Sequence, residues 1–304
     1  MKAVIMMKVT KINPQGYCKG VILAIKKVLE VINNSETNKP IYLLGMIIHN
    51  RFVCMELERM GVTILQGTNK LELLDSINCG TVIISAHGVS NIVKEKILKK
   101  KLTLVDTTCP DVKKVHDNVL EYISNGYEVL YIGKKNHPEA LGVLEESTKI
   151  HLIENISDLS IIDNNKKYYV TNQTTLSHDY VLNFHNEIKE ITNNVVLENN
   201  ICLATTKREA ALHNIKTDLI VVVGDYQSSN TQKLVEIAKN KAFAKAVIAI
   251  ERAKDLLNYD LTNYKEAYVT SGASTPSIMV DEVIQFLESD GLDLTLLSDT
   301  LLIF

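Results

Sequence analysis

The sequence predicts an α/β fold of three similar small modules with mostly parallel sheets. Two observations carry that expectation. Short β-branched runs alternate with longer amphipathic stretches along the whole chain, the pattern of strand–helix–strand units. Several of the short runs, IYLL, TVIIS and LIVVV among them, are apolar on both faces. Strands of that kind are buried on both sides and belong to parallel sheets covered by helices.

In chain order the pattern predicts a helix over 20–32, a strand over 41–44, a helix over 50–60 and a strand over 81–85. A helix follows over 91–100, a strand over 102–106, a helix over 110–124, a strand over 128–132 and a helix over 138–147. Beyond these come a strand over 168–170, helices over 178–191 and 207–214, a strand over 219–223 and a helix over 230–240. Strands over 246–250 and 267–269 and a helix over 276–288 complete the series. Pro110, Pro138 and Pro276 mark helix starts, because the first turn has no use for the N–H that proline lacks.

No linker rich in Gly, Ser or Pro divides the chain, but the cysteines do. Cys18 and Cys109 are 91 residues apart, and Cys109 and Cys202 are 93 apart, each interval about one small α/β unit. This sets three modules, over 19–108, over 109–200, and over 1–18 joined with 201–291. The stretch 292–304 reads as an appended tail with no assigned role.

Composition narrows the function. With 33 Lys and Arg against 36 Asp and Glu, the net charge is −3, which excludes a strongly basic nucleic-acid binder. No apolar run is long enough for a membrane span. The opening MKAVIMMKVTKINPQ resembles neither a secretory signal nor a transit peptide, so a cytoplasmic protein, or one whose leader has been removed, is expected. Five cysteines, an odd number, do not suggest a disulfide framework. They are either small buried hydrophobes or thiolates available for metal or catalysis.

The polar residues that carry chemistry fall where strands pass into helices, the place where open α/β sheets hold ligands. His49, His87 and His137 occupy such joins, and the remaining histidines, His116, His151, His178, His185 and His213, read as surface or core residues. Ser228, Ser229 and Asn230 stand at one helix start, and Ser274 and Thr275 at another. Helix starts suit phosphate, although the same residues are also ordinary N-caps. Glu139 lies in a first helical turn beside His137 and is either a dipole-stabilised carboxylate or a proton relay. Thr174 belongs to a Thr-Asn-Gln-Thr-Thr run that follows a strand. Cys18, Cys109 and Cys202 each precede a helix, and three thiolates from three modules could converge on one centre. No Walker A, G-x-G-x-x-G, H-E-x-x-H or C-x-x-C motif occurs.

The segments PQGYCKGV, IIHNR, SAHGVS, DTTCP, NHPE, TNQTTLS, ICLATTKRE, SSN and SGASTP occur in this order from about Lys8 to Gly291. In that order and content the chain resembles the LytB/IspH family, the 4-hydroxy-3-methylbut-2-enyl diphosphate reductases of the methylerythritol phosphate route to isoprenoids. The resemblance implies three α/β modules around a central cleft with pseudo-threefold symmetry. It implies a [4Fe–4S] cluster held by Cys18, Cys109 and Cys202, with one iron open to the substrate's oxygen. It implies diphosphate contacts from His49, His87, Ser228, Ser229, Asn230 and Ser274, with His137 and Thr174 lining the same pocket and Glu139 as the acid. The implied reaction is a two-electron reductive dehydroxylation giving isopentenyl and dimethylallyl diphosphate. Because the chain has no dinucleotide fingerprint, a separate ferredoxin or flavodoxin is the expected electron donor. The sequence departs from the family at Gln15, Lys134, Glu209 and Asp225-Tyr226-Gln227, none of them a cluster ligand or the acid.

Two other readings compete. A phosphate-binding transferase or ligand sensor would use the helix starts without a metal. A mononuclear metal hydrolase would use His49, His87 and His137. Neither explains three thiols alongside phosphate donors.

Overall fold

The computed structural model describes residues 7–289, so the expected tail over 292–304 lies outside the described residues. The elements run β1 (Lys8–Lys11), α1 (Lys19–Asn33), β2 (Ile41–Leu44), α2 (Arg51–Arg59), β3 (Val62–Leu65) and α3 (Lys70–Asp75). Then come β4 (Thr81–Ile84), α4 (Asn91–Lys99), β5 (Thr103–Asp106), α5 (Pro110–Ser124), β6 (Glu128–Ile132), α6 (Pro138–Leu144), β7 (Ile150–Ile153) and β8 (Tyr168–Asn172). The chain continues through α7 (His178–Ile191), β9 (Val195–Leu197), α8 (Leu203–Leu212), β10 (Lys216–Val223), α9 (Ser229–Lys241), β11 (Phe243–Ile250), β12 (Glu266–Ser271) and α10 (Ser277–Glu288). Short 3₁₀ turns over Ile156–Ile161 and Ala253–Asn258 complete it.

The strands form three four-stranded sheets, ordered β3-β2-β4-β5, β7-β6-β8-β9 and β11-β10-β12-β1. Every pairing within them is parallel, as the doubly apolar runs predict. The structure differs from the sequence expectation in places. It adds β1, β3, β7, β9 and α3, and it starts α8 at Leu203, four residues before the expected 207, directly after Cys202.

The chain gathers into two compact units. One takes the stretch ending at Lys19, His49–Glu56, and the chain from Leu203 onward, and contains the β11-β10-β12-β1 sheet. Alternate residues of a strand point to opposite faces. Leu219, Val221 and Val223 of β10 therefore pack with Met279, Val280 and Val283 of α10. Ile220 and Val222 face the other way, onto Leu212 of α8 and Leu234 and Ala238 of α9.

The second unit takes Gly20–Ile48 and Leu57–Cys202 and holds the other two sheets. In the β7-β6-β8-β9 sheet, Leu130 and Val170 meet Val181, Phe184 and Ile188 of α7. Val129, Tyr131 and Tyr169 meet Val115 and Val119 of α5 with Ala140 and Val143 of α6. In the β3-β2-β4-β5 sheet, Val82 and Ile84 pack on Val93 and Ile97 of α4. Among the described residues, no helix is long and apolar enough to cross a membrane.

Candidate functional site

All three sheets share one strand order. The first strand of each set (β2, β6, β10) is flanked on one side by the second and on the other by the third, and the fourth closes the far edge. Strand order reverses between the first and third strands, and ligands gather outside the carboxyl ends of strands at such a reversal. The chain leaving the first strands leads to His49, His137 and Ser228; the chain leaving the third leads to His87, Thr174 and Ser274. The fourth strands β5, β9 and β1 lead to Cys109, Cys202 and Cys18.

Each of these cysteines is the residue immediately before a helix, α5, α8 and α1 respectively. Their backbones are held alike. Cys18 N–H donates to Ala273 O, Cys109 N–H to Ala86 O and Cys202 N–H to Thr174 O, each at 3.0 Å. Every acceptor lies in the loop after a third strand. All three cysteines are half-buried, and none of the chain's five is in a disulfide. Cys109 is the N-cap of α5 but does not cap it with its side chain. A helix start lowers the cost of a thiolate, through the exposed N–H groups and the dipole.

In the first unit the loops interlock. Asn230, buried at the start of α9, accepts from Ala273 N–H at 3.0 Å and donates to Thr205 Oγ1 at 3.4 Å. Ser274 Oγ donates to the His49 carbonyl at 2.9 Å. Asp225 accepts from Arg51 N–H at 3.0 Å, fixing the turn that presents His49. Burial holds the His49 imidazole below its ordinary pKa, outweighing the pull of Asp225, so it is a neutral donor at pH 7. Ser228 Oγ accepts from Thr231 N–H at 3.3 Å, the capping role that competes with a binding one. Ser229 is the first residue of α9. Gly224 and Gly272 leave room for Thr231; a Cβ on either would lie 2.5 or 2.3 Å from its Oγ1.

In the second unit the His87 and His137 rings meet edge to face, centroids 5.8 Å apart. His137 caps α6, its Nδ1 accepting from Glu139 N–H at 3.2 Å. That bond places the neutral ring's proton on Nε2, a donor. Glu139 is buried. Thr174 donates to it twice, N–H to Oε1 at 2.7 Å and Oγ1 to Oε2 at 3.0 Å, and Tyr131 OH adds a weaker contact to Oε1 at 3.4 Å. Burial nonetheless outweighs these donors and pushes the carboxyl up to about 7. A group poised there can hold a proton and release it near neutral pH.

Among the described residues, no group of three or more His, Cys, Asp or Glu could hold a single metal ion. A cluster is gripped differently, since each thiolate takes its own iron and the sulfurs need not meet at a point.

Several supporting residues escaped the sequence reading. Tyr131 alternates into the Glu139 face of β6. Arg208, buried in α8, donates to Gly16 O at 2.6 Å and holds the turn before Cys18. Asn200 ties the Cys202 loop to Asn172 and Thr171. His116, which the sequence left as a surface or core residue, is buried. The departing residues are also engaged. Gln15 donates to Val269 O, Lys134 donates to Tyr180 OH, and Asp225 holds the Arg51 turn.

With that geometry in hand, a family model described as LytB protein matches residues 9–288, enclosing every candidate residue from Cys18 to Ser274. The chain belongs to the LytB family. LytB relatives named 4-hydroxy-3-methylbut-2-enyl diphosphate reductase include one from Symbiobacterium thermophilum, 42% identical over 287 residues, covering 93% of this chain and 97% of the relative. Another, from Anoxybacillus flavithermus, is 43% identical over 291 residues, covering 93% and 90%. Among solved structures, the E-1-hydroxy-2-methyl-but-2-enyl-4-diphosphate reductase of Plasmodium falciparum matches with a TM-score of 0.83 at 34% identity, over 92% of this chain and 88% of that one. A second, described as the terminal enzyme of the non-mevalonate pathway, matches with a TM-score of 0.67 at 29% identity, over 93% and 100%. The LytB match spans both units, so the three repeated strand-end patterns belong to one family architecture.

Proposed function

We propose that this chain reduces (E)-4-hydroxy-3-methylbut-2-enyl diphosphate. The reaction takes up two electrons and two protons, releases the hydroxyl as water, and gives isopentenyl and dimethylallyl diphosphate. One observation carries the reading beyond family membership: Thr174, which grips the buried acid Glu139, also holds Cys202 through its carbonyl. The acid and one of the three cysteines are thus held by the same loop, the one that follows β8.

The residues present fit an iron–sulfur cluster, because three half-buried thiols outside any disulfide each stand before a helix. Cys18, Cys109 and Cys202 would hold a [4Fe–4S] cluster. When bound, that group supplies the electrons and a Lewis-acidic iron for the substrate's hydroxyl end.

The chain's own residues do the rest. His49, His87, Ser228, Ser229, Asn230 and Ser274 bind and orient the diphosphate, with imidazole, hydroxyl, amide and helix-start N–H groups as donors. His137 lines the pocket through its Nε2–H. Glu139 supplies a proton, and Thr174 fixes the direction from which it comes. Electrons arrive from a separate carrier, a ferredoxin or flavodoxin.

The test is an anaerobic assay of the purified chain with this diphosphate and a low-potential dye as reductant. Formation of the two isoprenyl diphosphates with dye oxidation is expected. Iron-free protein that still acts on phosphate ligands would favour a metal-free transferase instead.

A further inference from the structure

His116 lies about two turns along α5 from Cys109. Its Nδ1 is 2.9 Å from Glu146 Oε1, and both side chains are buried. Glu146 follows α6, and its two oxygens also accept the N–H of Asn91, the first residue of α4, at 3.1 Å each. A carboxylate at a helix start is electrostatically favoured, so the end of α6 caps α4 and His116 holds that cap in place.

The far edge of the ring does something different. A Cβ on Gly88 would lie 3.3 Å from His116 Nε2, and one on Gly142 would lie 3.5 Å from Cε1. The ring therefore fills the seam between the His87-Gly88 turn and α6 in the turn after Glu139. Gly88, at φ +75°, takes a backbone conformation that glycine adopts most easily. His116 Nε2 is buried and has no hydrogen-bond partner among the described residues. A buried polar atom of that kind costs stability, which an apolar side chain of the same size would avoid. What the imidazole adds is a rigid plate fixed at one corner by Glu146.

We propose that His116 is a positioning residue: clamped by Glu146, it sets the spacing between the turn that carries His87 and the helix that carries His137 and Glu139. The inference rests on the proposed function for what those three residues do to substrate.

The test compares His116→Leu with His116→Asn in the full chain, purified anaerobically with its iron. Asparagine places an amide N–H where Nδ1–H stands; leucine does not. Three readouts are taken: iron per chain, calorimetric affinity for inorganic diphosphate, and kcat and KM for reductive turnover. Iron content is expected to stay at the wild-type level. His116→Leu should lose about tenfold or more in kcat and weaken diphosphate binding, as misplacement on the ångström scale does. His116→Asn should recover most of both.

Wild-type binding and turnover in His116→Leu would overturn the proposal, as would His116→Asn no better than His116→Leu. Should the leucine variant not fold, Gly142→Ala perturbs the same seam, and wild-type kcat and diphosphate affinity there would overturn it equally. Wild-type protein that binds inorganic diphosphate without turnover would instead overturn the reductase reading. The calorimetric comparison would then decide this proposal by itself.

Discussion

Thr174 donates to both carboxylate oxygens of Glu139, at 2.7 Å from its backbone and 3.0 Å from its hydroxyl. The carboxyl is thereby pinned in one orientation while burial keeps its proton affinity high. Glu139→Gln preserves the shape and removes the transferable proton. Its turnover should fall by about 10²- to 10⁴-fold, with iron content and diphosphate affinity close to wild type. Steady-state kinetics on iron-matched samples check this; undiminished kcat would remove Glu139 from the role of acid.

The same carboxyl gives a stability signature. Its folded pKa, about 7, lies above the ordinary 4.5, so the folded state keeps a proton that the unfolded state has lost. Stability attributable to Glu139 therefore declines as pH rises from about 4.5 through about 7 and is level beyond. The shift corresponds to a penalty on the order of 3 kcal/mol at alkaline pH. The Tm difference between Glu139→Gln and wild type should be more positive at pH 8.5 than at pH 4.5. Equal differences at the two pH values would show that Glu139 titrates alike folded and unfolded.

Asn230 connects the start of α9 to the loop that carries Ser274 and holds Cys18. Asn230→Ala strands the Ala273 N–H and loosens that loop. The affinity for inorganic diphosphate should drop about tenfold, the worth of one hydrogen bond to a charged group. Isothermal calorimetry reads this directly, and unchanged affinity would place Asn230 outside diphosphate binding.

Arg208 bridges two carbonyls, Gly16 O at 2.6 Å and Ala204 O at 3.2 Å. Arg208→Lys keeps the charge but loses the fork that spans them. A destabilisation of about 1–3 kcal/mol is expected, the cost of leaving a buried polar group without its partner. Thermal unfolding should show it, and a Tm equal to wild type would argue that the fork is not needed.

The four strands that the sequence pattern does not reveal, β1, β3, β7 and β9, are all sheet edges. They are short, KVTK, VTIL, IHLI and VVL, and each carries partly exposed positions. An edge strand pairs on one side only and is less enclosed, so it need not be apolar throughout. The inner strands β4, β6, β8 and β10 are enclosed on both faces, and their composition records it. Candidate site residues were legible for a similar reason: His49, His87, Glu139 and Cys109 follow strands whose ends the pattern locates, whereas Cys18 and Cys202, which follow the unrevealed β1 and β9, stood out by their even spacing from Cys109 and by the helices expected after them. Their supports were not. Tyr131 on Glu139, Arg208 on Gly16 and His116 on Glu146 join residues that only the folded chain brings together. His116 in particular reads in sequence as one more helical histidine.

Cys18, Cys109 and Cys202 are proposed to serve one iron–sulfur centre, and the iron and acid-labile sulfide bound per chain should depend on all three. Measured on anaerobically purified wild type and on the Cys18→Ser, Cys109→Ser and Cys202→Ser variants, about four of each per chain are predicted for wild type. Each variant should lose the cluster or retain it only in a depleted, inactive form, while Cys54→Ser and Cys79→Ser match wild type. Full iron, sulfide and turnover in any one of the three variants would show that the replaced cysteine is not a ligand of the centre.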